Sequence, residues 1–382
     1  MPSLYIHVPF CVQKCDYCAF YSHSLVNSPK DLISVYLEGL EVEMAKRRED
    51  APQGVSSLFI GGGTPTLLKD RDLECLMKMI HQHFDFNPGA ERTIEGNPGT
   101  LTSSKLNILR HYGINRFSLG VQAFNDKLLK AVGRMHTAQE AREAIEGLRR
   151  AGFDNINMDL MFGLPAQDMA TWQAIIEEAL SYSPEHLSLY GLMLEKSTPL
   201  YERYREDNAL PDWLPDDDLQ AKMHGWAVKR LKQAGYMHYE TSNFARPGYE
   251  CRHNLGYWRG EDYLGLGPGG VSCLNGARWK NIEEVRTYLI RLYNGQDLVD
   301  ETGYEILSLH ERMAERMILG LRLEEGVNLT LFRNDFGVDL RDIYRDVLER
   351  YKDKDVLIFW GDYLRLNSKY SFVANSILQE FV

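Results

Sequence analysis

The sequence predicts an α/β protein: a partial (β/α)6 barrel with a smaller, mainly helical, winged-helix-like C-terminal domain. Three observations lead there. Between residues 4 and 192, short apolar, β-branched runs alternate with segments of helical period, and strands alternating with helices imply crossovers and a parallel sheet. Five of the six runs turn at the same end into glycine, cysteine or polar residues, as a barrel rim does. Beyond residue 300 the pattern changes to helices followed by a hairpin. Six strand–helix units suit a partial barrel, because a closed eightfold barrel needs more repeats.

The first run, Leu4–Val8, feeds a loop in which Cys11, Cys15 and Cys18 follow in close succession, with Tyr17 just before the last. Thiolates are preferred ligands of iron–sulfur clusters. Three of them hold three corners of a [4Fe–4S] cube and leave the fourth iron open to something the protein does not supply. A structural zinc site wants four closed ligands, and no second cysteine pair follows at a suitable spacing. The alternative is three ordinary thiols in a turn, which such tight clustering after an apolar strand disfavours.

A helix over Asp31–Lys46 leads to the second run, Val55–Ile60, which enters Gly61-Gly62-Gly63-Thr64-Pro65. Glycines without Cβ atoms let backbone approach a ligand closely, and they serve equally in a tight turn of positive φ. Helical period over Arg71–His83 leads to the third run, Arg92–Glu95, which ends in Glu95-Gly96-Asn97-Pro98. After Ser103–His111 comes Arg116–Val121, ending at Gly120-Val121-Gln122, with Gly133-Arg134-Met135-His136 beyond it. Helical segments Ala138–Ala151 and Met169–Ser181 flank the fifth run, Asn155–Met161, which carries Asp159 and continues to Gly163-Leu164-Pro165; the sixth run is His186–Leu192. Ligands bind such barrels at the C-terminal ends of the strands, so rim residues in register point to one site facing the cysteine loop. There Glu95, Gln122 and Asp159 accept hydrogen bonds from hydroxyl or amine groups, and Arg134 pairs with a carboxylate. Taken singly, Gln122 or Arg134 reads as a solvated surface residue; only shared placement gives them weight.

The totals limit the remaining choices. A chain of 382 residues with 44% hydrophobic and 25% charged residues is an ordinary globular one, long enough for a large domain and a smaller one. Six cysteines, half of them in one loop, do not form a disulfide framework; Cys75, Cys251 and Cys273 read as small core residues. A net charge of −11 argues against a nucleic-acid partner. No apolar run approaches a membrane span, and the first residues lack a signal or transit pattern. The expected location is the cytoplasm.

The cysteine loop resembles that of the radical S-adenosylmethionine (SAM) enzymes. The resemblance implies that the amino and carboxylate groups of SAM chelate the open iron, and that an electron from the cluster cleaves SAM to a 5′-deoxyadenosyl radical. Residues Tyr5 to Phe10, Gly61-Gly62-Gly63-Thr64-Pro65-Thr66, the Gly-Val-Gln-Ala-Phe-Asn run from Gly120, the Gly-Arg-Met-His run from Gly133 and the Asp-Leu-Met-Phe-Gly-Leu-Pro run from Asp159 are together similar to the oxygen-independent coproporphyrinogen III oxidase family. The similarity covers most of residues 1–245, with weaker patterns to the end. It implies a partial (β/α)6 radical-SAM barrel in which Tyr5, Gly62, Gly63, Thr64, Glu95, Gln122, Arg134 and Asp159 contact SAM, some of them at a second SAM position of the true oxidases.

Past the barrel, a polar loop over Pro211–Asp217 leads into a helix, Asp218–Gln233, and then to Tyr239–Gly248 and His253-Asn254-Leu255-Gly256-Tyr257-Trp258. The His-Asn-x-x-Tyr-Trp pattern resembles the haem-chaperone branch of the same family. A neutral imidazole is a common axial ligand of haem iron, and Tyr257 and Trp258 suit a porphyrin face; on the residues alone, His253 reads more readily as a loop residue capping carbonyls, and the resemblance brings the ligand reading level with that one. In the last part, a helix over Asp300–Arg322 carries the stripe Ile306, Leu309, Met313, Met317 and Leu321. Helices Leu329–Asn334 and Leu340–Tyr351 follow, then a hairpin of Val356–Trp360 and Tyr363–Leu366 turning at Gly361-Asp362, then a final helix. A winged-helix shape often binds DNA, but the acidic total and the lack of a basic stripe favour a packing or partner role.

The expected organisation is residues 1–240 for the [4Fe–4S] cluster and SAM, 241–300 for the extension with the His253 motif, and 301–382 for the helical domain. Two departures from the oxidase pattern favour the chaperone branch: Phe20 stands where oxidases carry a fourth cysteine, and the first strand starts at residue 3, without the oxidases' N-terminal extension. One departs from the chaperone pattern: Gly270-Val271 stands where Ala-His is usual. The leading expectation is a haem chaperone that binds a [4Fe–4S] cluster, SAM and haem and hands haem to respiratory haem proteins. The resemblance also implies an electron donor such as flavodoxin or ferredoxin, peripheral association with the membrane surface and a homodimer. The alternatives are an oxygen-independent coproporphyrinogen III oxidase, decarboxylating two propionates to vinyl groups, and a radical-SAM methyltransferase or haem-opening relative.

Overall fold

The computed structural model of the protein describes residues 1–204, 214–300 and 302–382. All six predicted strands are present: β1 (Ser3–Val8), β2 (Val55–Gly62), β3 (Phe86–Gly96), β4 (Arg116–Gln122), β5 (Ile156–Phe162) and β6 (His186–Gly191). They are consecutive neighbours in one sheet and parallel throughout. The connecting helices are α1 (Leu32–Arg47), α2 (Asp70–His83), α3 (Ser103–His111), α4 (Ala138–Arg150) and α5 (Met169–Ser181). Each starts where local chemistry allows. Thr102 caps α3, Thr137 and Glu140 form a capping box on α4, and Asp168 caps α5, each satisfying backbone N–H groups that a helix start leaves free.

The sheet continues beyond these six. After α6 (Asp217–Gln233), the strands β7 (Met237–His238) and β8 (Asn243–Ala245) add antiparallel pairs outside β6. On the opposite side β9 (Tyr263–Leu266) pairs with β1 in parallel, followed by β10 (Val271–Leu274), β11 (Ala277–Lys280) and β12 (Glu305–Ile306). Among the described residues the sheet thus has 12 strands, in the order β12-β11-β10-β9-β1-β2-β3-β4-β5-β6-β8-β7. The parallel part contains a seventh strand that sequence patterning does not single out, because Tyr263-Leu264-Gly265-Leu266 sits inside a glycine-rich run. Those glycines have packing reasons. A Cβ on Gly265 would strike the backbone of Val271, and Gly267, at φ +88°, lies 2.5 Å by its notional Cβ from the His7 carbonyl.

Side chains alternate sharply across the sheet. Leu4, Ile6 and Val8, Phe117, Leu119 and Val121, Ile156, Met158 and Leu160, and Leu187 and Leu189 face the helices and are buried. Each contributes roughly 1.5–3 kcal/mol by burial. The opposite face carries Tyr5 and His7, Arg116 and Ser118, Asn157 and Asp159, and Ser188 and Tyr190. An ordinary parallel barrel fills its interior with branched apolar residues; this one leaves a polar interior.

A second core lies in the C-terminal part, built from Met313, Met317, Leu321, Phe332, Leu364 and Phe381 among others. The helix predicted over Asp300–Arg322 is shorter: α8 (Val285–Tyr293) and β12 come first, and α9 spans Leu309–Gly320. A capping box between Ser308 and Glu311 fixes that start. Ile306 is therefore on a strand and Leu309 at the first turn, both exposed, whereas Met313, Met317 and Leu321 are core. The helix expected over Leu340–Tyr351 breaks into Leu340–Ile343 and Arg345–Tyr351. The predicted hairpin forms, with Trp360 opposite Tyr363. Of the loop expected over Pro211–Asp217, residues 211–213 lie outside the described residues, and Asp217 opens α6. Among the described residues no helix is long and apolar enough to cross a membrane.

Candidate functional site: a cysteine loop over a polar barrel cavity

The cysteine loop leaves β1 at Pro9 and is closed at its base, where Phe10 and Cys11 pair with His23 and Ser24. It is held on three further sides. The Asp16 N–H donates to the Val132 carbonyl at 3.1 Å, and Leu200 N–H to the Asp16 carbonyl at 2.8 Å. Beneath it, Gly63 N–H donates to Val8 at 2.8 Å and Thr64 N–H to Phe10 at 2.7 Å. Cys11, Cys15 and Cys18 are free thiols, each partly buried. Burial raises the pKa of Cys11 and of Cys18, because an apolar setting disfavours the charged thiolate.

The glycine run has protein reasons for its composition. A Cβ on Gly61 would meet the Glu95 carboxylate at 2.8 Å, on Gly62 the His7 ring at 2.7 Å, and on Gly63 the Phe10 carbonyl at 2.5 Å. Gly62 also has φ +109°, which favours glycine. The run therefore seats β2 against the root of the cysteine loop, and its composition is explained without a ligand.

Around the loop the predicted rim residues converge. Thr64 Oγ1 lies 3.7 Å from Cys11 Sγ and accepts from Asn97 Nδ2 at 2.9 Å. Arg134 donates to Asn97 Oδ1 at 2.9 Å, to the Gly120 carbonyl, and to Cys15 Sγ at 3.6 Å. Cys11, Thr64, Asn97, Arg134 and Cys15 are thus linked in one chain of contacts. Gly120 is what admits Arg134, since a Cβ there would stand 2.7 Å from the guanidinium. Arg134 Nε is buried and has no hydrogen-bond partner. Gln122 sits at φ +65°, a strained conformation for a residue with a side chain, braced by His136 Nε2 at 3.1 Å from the Val121 carbonyl.

Below the rim a cavity of about 780 Å³ opens into the barrel. It starts at Ala19, the exposed Phe20 and Tyr21 of the cysteine loop, passes Tyr5, Glu95 and Asp159, and ends against β9–β11 and α9. Glu95 accepts from Gly62 N–H at 3.2 Å. Burial, and after it the Asp159 carboxylate, push the Glu95 pKa up to about 8. Burial also raises Asp159, against the hydrogen bond it receives from Asn157 at 2.8 Å. Burial thus works against the charged form of both carboxylates that face the cavity.

His253 lies on α7 (Arg252–Trp258), whose first turn is capped by Glu91, with Arg252 and His253 N–H donating at 3.0 and 3.1 Å. Its ring is on the cavity wall but 1% exposed. Nδ1 is 2.9 Å from Ser57 Oγ and Nε2 2.9 Å from Tyr257 Oη, so both nitrogens are engaged and iron ligation requires one bond to open. It caps no carbonyl. Burial, and next Arg116, push its pKa down to about 3, which keeps the imidazole neutral. Tyr257 lines the cavity, edge-on to Tyr263 at 4.7 Å. Trp258 does not: one residue further round the helix, it packs under Arg322 at 5.7 Å. Val271 also faces the cavity, so the histidine usual at that position would point into it. Of the other cysteines only Cys251 is buried; Cys75 is exposed on the outer face of α2, and Cys273 lines the cavity.

The donor set fits the groups the sequence implied. Among the described residues no group of three His, Cys, Asp or Glu is placed to hold a single metal ion, and three thiols spread along one loop suit the separate irons of a cluster instead. Beside them the buried Arg134 Nε, the one nitrogen of that guanidinium left without a partner, suits a carboxylate. Sequence reasoning missed the cavity's Arg116, Ser118, Asn157, Ser188 and Tyr190. The signal was present as polar letters at every second position of strands whose other positions are apolar.

A parallel barrel with three cysteines on the loop after its first strand defines a protein of the radical SAM class. The model of the Radical SAM superfamily matches residues 5–179, and that of the HemN C-terminal domain matches residues 307–369. Over its whole length the chain is 40% identical to the heme chaperone HemW of Escherichia coli K12, covering 98% of that protein, and 35% identical to the heme chaperone HemW of Bacillus subtilis, covering 99%. The chain belongs to the HemW family of haem chaperones. The solved structure of coproporphyrinogen III oxidase (HemN) from Escherichia coli shares the fold, at a TM-score of 0.86 and 24% identity, covering 100% of this chain and 90% of that one.

Proposed function

We propose that this protein binds a [4Fe–4S] cluster, SAM and haem in one continuous site and delivers haem to respiratory haem proteins. The reading is carried by a cavity that runs from Ala19, Phe20 and Tyr21, just past the cysteines, to the aromatic wall of Phe59, His253, Tyr257 and Tyr263; the three cysteines, Gly62, Gly63, Thr64, Gln122 and Arg134 stand beside it and not in its lining. Cys11, Cys15 and Cys18 would hold the cluster. Tyr5, Gly62, Gly63, Thr64, Glu95, Gln122, Arg134 and Asp159 would hold SAM, with Arg134 at its carboxylate and the two acids at its hydroxyl and amine groups. When bound, the cluster and SAM supply one-electron chemistry, for which a flavodoxin or ferredoxin is the donor. The chain's own contribution is to bind, to orient and to keep water from the cluster. In this assignment residues 1–240 serve the cluster and SAM, 241–300 bring His253 to the cavity, and 301–382 form the helical domain. The protein acts in the cytoplasm, meets its acceptors at the membrane surface and works as a homodimer.

His253 is the proposed haem contact. Its neutral ring is the form that ligates iron, and its Nε2 would exchange the Tyr257 hydroxyl for the metal. The test is an anaerobic haem titration of cluster-reconstituted protein, followed at the Soret band, beside His253→Ala. Saturable binding near one haem per chain, weakened in the variant, is expected. Equal binding in both proteins moves the ligand elsewhere. Absence of specific binding sinks the chaperone reading and leaves decarboxylation of coproporphyrinogen III as the activity to assay.

A further inference from the structure

Arg116 stands at the start of β4, 2% exposed, and lines the floor of the barrel cavity. Among the described residues it makes no ion pair and no hydrogen bond, and its Nε is buried without a partner. A guanidinium carries five N–H donors in a rigid fork, and a buried charge left unpaired is costly. The groups facing it are Glu91, Asp159, Tyr239 and Cys251, and each is already committed. Glu91 accepts from Cys251 Sγ, Arg252 N and His253 N at the start of α7. Asp159 accepts from Asn157. The Tyr239 hydroxyl is taken by His186 and by Cys251 N–H. No group near Arg116 completes its fork, while the cavity above is open to a ligand.

We propose that Arg116 binds a carboxylate of the cavity ligand, and that this carboxylate is a propionate of haem. The inference rests on the haem reading given above. The macrocycle lies against the aromatic wall of Phe59, Tyr257 and Tyr263, and its propionate completes the guanidinium fork bidentately. This would make Arg116, rather than an iron ligand, the residue that tells haem from a neutral flat ring.

The test compares haem with its dimethyl ester, whose propionates carry no charge. Cluster-reconstituted wild type and Arg116→Gln are each titrated at the Soret band. Wild type should prefer haem by about tenfold or more, since hydrogen bonds to charged groups are among the stronger ones. Arg116→Gln should bind both forms with the affinity that wild type has for the ester. Arg116→Gln also removes the positive charge that faces Glu91 and Asp159, so its melting temperature is read beside the titration. Arg116→Lys should recover part of the preference, keeping the charge without the fork. Unchanged preference in Arg116→Gln overturns the proposal. So does equal loss for haem and ester with a lowered melting temperature, which would make Arg116 a structural partner of Glu91. Wild type binding haem without preferring it overturns the Arg116 assignment alone, and wild type binding neither form removes the haem reading and this assignment together.

Discussion

Glu95 holds a proton at neutral pH that most carboxylates have lost. Its ordinary pKa is near 4.5, and burial and then Asp159 push it up to about 8. Between these values the folded chain binds a proton that the unfolded chain does not. Stability therefore falls as pH rises through that window. Glu95→Gln cannot titrate, so its melting temperature should decline less than that of wild type between about pH 5 and 8 when both are measured without cluster. Identical declines would show that Glu95 adds nothing to the slope. At this scale the sequence was legible where a residue stands on the rim, as Glu95 and Asp159 do, and silent where it stands deeper. Arg116-Phe117-Ser118-Leu119 alternates polar and apolar without a break. Parallel strands usually read as continuous apolar runs, so the polar letters carried a message that the usual pattern hides.

The element whose integrity matters most is the turn from β2 under the cysteine loop. Gly63→Ala would place a methyl group 2.5 Å from the Phe10 carbonyl and oppose the two hydrogen bonds that seat the loop on Gly63 and Thr64. It should cost the reconstituted protein most of its broad visible absorbance, as Cys11→Ala, Cys15→Ala and Cys18→Ala should, while Cys75→Ala on α2 should leave the absorbance intact. Loss in Cys75→Ala, or full retention in Gly63→Ala, contradicts this account. Six strands and the helices between them were readable because each has its own period, and α3, α4 and α5 carry caps as well. β9 was not, because its four residues make sense only beside β1, and because Gly265 answers a contact with Val271 that no local pattern announces. The early start assigned to α9 has a similar cause: the apolar spacing extends back to Ile306, but the capping box at Ser308 and Glu311 decides where the helix begins.

At the scale of the whole molecule, the cavity draws its wall from distant parts of the chain. Leu319 and Glu315 of α9 close it opposite the strands of the barrel. Leu319→Arg puts a charge where the flat ligand is expected and should weaken haem binding roughly tenfold, about 1.4 kcal/mol, without altering the cluster's absorbance. A parallel loss of both signals would mean that the substitution disturbs the barrel rather than the cavity.

The pairing of β1 with β9 also sets a timetable for synthesis. One edge of β1 meets β2 soon after it is made, but the other waits for Tyr263–Leu266, roughly 260 residues later. At about 5–20 residues per second, that is an interval on the order of 10–50 s. Throughout it, the strand that leads into the cysteine loop presents unpaired N–H and C=O groups, the kind of edge that recruits other strands. A nascent chain of this protein therefore has a vulnerable period at the end that carries three of its thiols, and, on the proposed reading, whatever loads iron there meets either an unfinished barrel before that pairing or a sealed one after it.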